Sequence, residues 1–147
     1  MWNLRPESRL AEWKQFRQDL DKLPTEQALE HISALWSYVP FVDKYLDPNT
    51  PKSWPGPWEL IWNNRYCDLA RALGMLYTWE LTEHSQNINS DLVIYYDHAT
   101  QCYANCFCVG DRDYVLNLSY NTVLKKHCFT SQYERIHTYP AKTLIEK

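Results

Sequence analysis

Cys67 is the residue of this chain best placed to do chemistry. It follows Asn63 and Asn64, either of which can cap the free amides at a helix start, and it opens a long helix-patterned segment. Exposed amides and the helix dipole favour an anion at such a start. A thiol there can lose its proton more readily and act as a nucleophile, given access and a base. Arg65 and Arg71 favour that ionisation, and Asp68 opposes it. The alternative is a small core side chain, because cysteine is among the most commonly buried residue types.

His98, Cys102, Cys106 and Cys108 form a second set, with the residue types of a zinc site. Their spacing argues against one. On a single strand Cys102 and Cys106 stand about 13 Å apart, whereas tetrahedral zinc holds its sulfurs about 4 Å apart, and no pair of cysteines has the two-residue knuckle spacing. The sequence therefore implies no metal and no cofactor.

The element that must position Cys67 is the stretch from Pro57 to Leu81. Leu69, Ala72, Leu73, Leu76, Tyr77 and Trp79 or Glu80 recur at the three-and-four spacing of one apolar helix face, and Tyr66, Ala70 and Met75 widen it. So broad a face predicts a central helix covered on two sides. Before it, Ser8 to Leu23 reads as a helix with Leu10, Trp13, Phe16, Leu20 and Leu23 on one face. Thr25 can cap a second helix, with Ala28, Ile32, Leu35, Trp36 and Val39 as its stripe until Pro40. The two are expected to pair as a hairpin. Between Asp47 and Pro57 lie four prolines and a glycine. This is an irregular loop that Trp54 and the neighbouring Trp58 should fold back onto the body.

After Glu83 the period changes to that of strands. Leu92–Tyr96, Cys102–Val109 and Tyr114–Tyr120 predict a three-stranded antiparallel meander, with turns at 97–100 and 110–113. Cys102, Ala104, Cys106 and Cys108 give the middle strand one face of small side chains, suited to close approach by a helix. Tyr133–Tyr139 can add a strand and Pro140–Lys147 a last helical turn. The expected architecture is a single α+β domain: a helical hairpin (1–46), a Pro/Trp loop (47–57), a central helix region (58–84), a meander packed on it (91–120) and a C-terminal extension (121–147).

The 147 residues are enough for one sizeable core, and seven tryptophans with eleven tyrosines favour packed aromatic surfaces. A formal charge of −3 argues against a general nucleic-acid binder. No run has the length of a signal peptide or a bilayer span, and five cysteines are an odd number, so a soluble intracellular protein with reduced thiols is expected.

A cysteine-led helix followed by meander strands resembles the transglutaminase-like branch of the papain-like fold. There the helix-start cysteine acts with a histidine on one strand and an aspartate on the next. The turn and strand GDRDYVLNLSY resemble that family's last pair of elements and set Asn117 where the aspartate would stand. Counting back across the turn, the histidine position falls at Tyr103, within one residue, and none of Cys102, Tyr103 and Ala104 is a histidine. His98 would have to serve from a turn. The segments WPGPWELI and YCDLARALGMLYTW also resemble short proteins of T4-like marine phages, which implies a phage origin, in the virion or the host cytoplasm.

A thiol without a base cannot complete acyl transfer. The sequence reading is therefore a non-enzymatic protein–protein interaction or structural protein of a phage virion or its assembly, with no membrane. It would bind protein partners, including other virion proteins, through Trp54, Trp58 and Trp62. The alternative is a cysteine-dependent acyl transferase or hydrolase of transglutaminase-like type, with Cys67 as nucleophile, His98 as displaced base and Asn117 as orienter.

Overall fold

In a computed structural model, which describes residues 1–145, the first two helices pack on later helices rather than on each other. Helix α1 (Pro6–Leu20) begins two residues before the expected Ser8, because Pro6 has the φ of a first helical turn and no amide left unpaired there. Helix α2 (Thr25–Trp36) follows after Pro24. Pro57–Asn63 forms α3 and Asp68–Glu80 forms α4. α1 lies against α3 and α2 against α4, which replaces the expected hairpin pairing.

Aromatic residues explain that arrangement. Trp13 of α1 and Trp36 of α2 each donate an indole N–H to the Thr78 hydroxyl of α4 at 3.0 Å, and Thr78 donates to the Gly74 carbonyl. Both indoles are fully buried. Each removes roughly 4–6 kcal/mol worth of surface from water before conformational entropy is counted. A Cβ at Gly74 would overlap the Trp36 ring, so α4 carries glycine in its interior despite a cost of about 1 kcal/mol in helix propensity. Arg9 is buried and donates to the Ile61 and Trp62 carbonyls at 2.9 and 3.1 Å, capping the end of α3.

The helix-patterned stretch from Pro57 to Leu81 forms the two helices α3 and α4. Asn64 adopts a left-handed conformation (φ 54°) and closes α3, and the chain then runs extended to Cys67, which is itself the residue capping α4. The asparagines thus end one helix rather than start the next. Left-handed backbone suits asparagine, and here its side chain also donates to the Trp2 carbonyl. α4 is central, as expected: every residue from Leu69 to Trp79 except Arg71 is buried.

Strands β1 (Ser90–Asp97), β2 (Cys102–Val109), β3 (Tyr114–Leu116), β4 (Val123–Lys125) and β5 (Tyr133–Pro140) form one sheet in the order β4-β3-β2-β1-β5. All pairings are antiparallel. The meander therefore has a further strand at each edge, while β3 stops at Leu116 because Asn117 turns left-handed (φ 68°). A short helix, α5 (Ala141–Ile145), docks its Ala141 and Leu144 into the core. The expected helical turn to Lys147 extends beyond the described residues.

The face of β2 expected to receive a helix is the wrong one. α4 packs on Phe107 and Val109, together with Leu92, Ile94 and Leu116. Cys106 and Cys108 look the other way, into a second small core with Val93, Tyr95 and Val115, capped by Leu118, Leu124, Phe129 and Tyr133. Burying the large apolar side chains against the helix removes more surface from water, and the segment after β4 covers the small ones.

Candidate active site

Strand register determines what faces Cys67. Ile94 in β1 pairs with Asn105 on one side and His137 on the other, and directly opposed residues point to the same face. A β-bulge between Ile94 and Tyr95 leaves Ile136 as the extra residue of β5, so His137 falls on the face that carries α4. Cys67, Asp68, Tyr103, Asn105 and His137 consequently line one cleft of about 340 Å³. Its outer wall is the loop containing Asp43, Lys44, Leu46, Pro48 and Asn49. That loop is tied down at both ends: Val42 donates to the Tyr66 carbonyl beside the cysteine at 2.8 Å, and Tyr139 donates to the Pro48 carbonyl at 2.9 Å.

Cys67, which lines this cleft, is 5% exposed. The first intrahelical bond of α4 runs from the Arg71 amide to the Cys67 carbonyl. The amides of Asp68, Leu69 and Ala70 therefore have no partner within the helix. The Asp68 carboxylate does not cap them from its own turn. Its two oxygens accept from the side-chain amides of Asn105 (2.9 Å) and Asn117 (3.2 Å), and Asn117 also donates to the Asn105 carbonyl at 2.9 Å. These contacts fix the carboxylate against the sheet, beside the thiol.

The chain resembles solved structures of LapG from Legionella pneumophila over nearly its whole length. The calcium-bound form superposes with a TM-score of 0.72 over 93% of this chain and 77% of LapG, at 12% identity. Another LapG structure gives 0.69 over 91% and 75% at 14%, and the EGTA-treated form 0.68 over 94% and 78% at 15%. The fold is transglutaminase-like. No protein-family model and no curated protein sequence matches the chain.

A transglutaminase-like fold shared with a cysteine protease corrects the non-enzymatic structural reading, and nothing in the comparisons supports a phage or virion origin. The tryptophans expected to bind partners divide. Trp54 is 3% exposed, donates to the Asp47 carbonyl at 2.7 Å and packs on Tyr139, so it is core. Trp58 and Trp62 are exposed, Trp58 meeting Trp13 edge-on with Arg17 over its ring.

Among the expected catalytic residues, the structure brings Asn117 to the helix start next to Cys67 but not His98. His98 lies beyond the end of β1, four residues and about 13 Å of strand from Ile94. There it pairs with Glu134 at 2.9 Å. The side chain against the helix start from β2 is Asn105, two residues past the counted Tyr103, because Val109 pairs with Tyr114 across the turn and that register carries Asn117 to the level of Cys106. His137 was missed altogether. Only the sheet order puts β5 beside β1, and the bulge at Ile136 sets its facing. No histidine hydrogen-bonds the Cys67 thiol among the described residues.

Proposed function

We propose that the cleft carries out cysteine-dependent acyl chemistry, hydrolysing or transferring an amide- or ester-linked acyl group, with Cys67 as nucleophile and His137 as the proton carrier. The observation that carries this reading is the thiol at the helix start sharing one cleft with an imidazole, in a fold whose solved relatives include a cysteine protease. His137 takes the place that His98 was expected to fill.

In the first half-reaction the Cys67 thiol gives its proton to the His137 imidazole as Sγ bonds to the substrate carbonyl carbon. The carbonyl electron pair moves onto oxygen, where the free amides of Asp68 and Leu69 donate to it. Collapse of the tetrahedral adduct breaks the bond to the leaving amine or alcohol, which takes the proton back from the imidazolium. A thioester on Cys67 remains. Water, or an acceptor amine, then loses a proton to His137 and attacks the thioester, and departure of the reprotonated thiol completes the cycle. Asn105 and Asn117 serve as positioning residues by keeping the Asp68 carboxylate on the sheet, away from the developing oxyanion.

The test is mass spectrometry of the intact protein mixed with an N-acyl amino-acid p-nitrophenyl ester. The expected result is one acyl group on Cys67 that turns over, none in Cys67→Ala, a rate lowered about a hundredfold in His137→Ala, and no change in His98→Ala. Acylation confined to the exposed Cys102 and Cys128 would overturn the reading.

A further inference from the structure

Arg71 stands one helical turn after Cys67, and its guanidinium makes no hydrogen bond or ion pair among the described residues. Its Nε is buried without a partner, and its planar group lies over the Phe41 ring at 5.2 Å. Phe41 is open to solvent (51% exposed), as are Tyr120 (64%) and the Tyr38 (68%) that packs on Tyr120. Tyr38 and Tyr120 meet edge-on at 6.4 Å, and the Arg71 charge acts on the Tyr120 phenol. Phe41 bridges to Tyr66 immediately before the cysteine, and the loop that walls the cleft starts two residues later. The chain thus ties the patch to the cleft: Phe41 stands two residues before Asp43 of the cleft wall, and Arg71 four residues after Cys67.

We infer that this patch is the specificity subsite of the Cys67 cleft, and that it selects polypeptide substrates bearing a glutamate or aspartate about two or three residues from the acyl carbon that Cys67 attacks. The inference rests on the acyl chemistry proposed above. Complementary charge supports it. A guanidinium half-buried beside rings, with no anion of its own, gains most from a carboxylate that can accept two parallel N–H bonds. Spacing sets the position. Arg71 is about 6 Å along the helix axis from Cys67, and its own side chain reaches a similar distance, while an extended peptide advances about 3.3 Å per residue. The rings beside the guanidinium form a clamp for the peptide backbone and the methylenes of glutamate, and they exclude water from the ion pair.

The experiment separates the subsite from the chemistry. Two dye-labelled dodecapeptides of alanine and serine, identical except for glutamate or glutamine at two central positions, are titrated onto Cys67→Ala protein and followed by fluorescence anisotropy. The glutamate peptide should bind about tenfold more tightly, the preference should shrink in 0.5 M salt, and Arg71→Gln should abolish it while Arg71→Lys keeps part of it. Tyr38→Ala should weaken both peptides about threefold and leave the preference intact. Equal binding of the two peptides, or a preference that survives Arg71→Gln, overturns the inference. So does tighter Arg71-dependent binding of a twelve-nucleotide oligothymidine, or self-association that disappears in Arg71→Gln. An Arg71-dependent preference in a chain whose Cys67 accepts no acyl group supports the subsite and overturns the acyl chemistry alone.

Discussion

The two faces of the sheet hold cysteines in opposite circumstances. On the helix side, the buried Cys67 lines a cleft shared with polar side chains, next to amides that have no partner within the helix. On the far side, Cys106 and Cys108 are sealed under Phe129 and Tyr133, with Tyr95 4.0 Å from the Cys108 sulfur. Burial pushes the Cys106 thiol well above its ordinary value and Cys108 up to about 12. A cysteine's chemistry in this molecule follows from what covers it. One face of β2 leaves room for a substrate, and the other is filled by the chain itself.

The largest test of that contrast is native alkylation. Iodoacetamide at pH 7.5, with peptide mass spectrometry, should modify Cys67 before Cys108, and Cys108 about a thousandfold more slowly in the native protein than in denaturant, since burial pushes its thiol up to about 12 and cuts its thiolate fraction. Cys106 should follow Cys108, and the gap should close in denaturant. Equal rates in the native protein would erase the distinction between the faces.

The elements behind this contrast were mostly legible in the sequence, and their contacts were not. The apolar period from Leu69 to Trp79 marked the central helix, and alternation in β2 marked the strand to the residue. Which face of β2 meets α4 depended on a choice between Phe107 with Val109 and Cys106 with Cys108, and periodicity assigns two faces without saying which is inner. Cys67 could be singled out because a helix-start thiol is a local signal. His137 could not, because its place in the cleft depends on β5 joining the sheet beside β1 and on one extra residue at Ile136, both properties of long-range pairing. The count to Tyr103 failed for a related reason: it depended on the β2–β3 register across the 110–113 turn, which pairs Val109 with Tyr114.

Asn105 sharpens the comparison from the cleft side. It reaches the helix start from β2, where its side-chain amide donates to the Asp68 carboxylate, and Asn117 donates to its carbonyl. Asn105→His should raise the rate of Cys67 acylation about a hundredfold, the lower end of what a positioned general base supplies, and should make that rate follow the ionisation of an imidazole. The same substitution should relieve the dependence on His137, so that Asn105→His with His137→Ala acylates faster than His137→Ala alone. If Asn105→His changes nothing, the side chain at 105 does not address the thiol, and the geometry assigned to the cleft is wrong.

The far face offers the smallest effect and the one with a definite sign. A folded-state thiol raised above its unfolded value, about 8.5, contributes stability that is complete below that pH and is lost as pH climbs toward the folded value. For Cys108 the window runs from about 8.5 to about 12. Above pH 8.5 the unfolded chain releases a proton that the folded chain retains, which costs about 1 kcal/mol between pH 8.5 and 9.5. Cys106 acts in the same direction. Cys108→Val conserves the volume and removes the ionisation, so urea unfolding should show a shallower loss of stability over that interval, by about 1 kcal/mol, even if the variant is less stable at pH 7. An unchanged slope would mean that the sulfur is already in contact with water, and that the second core is as open as the cleft.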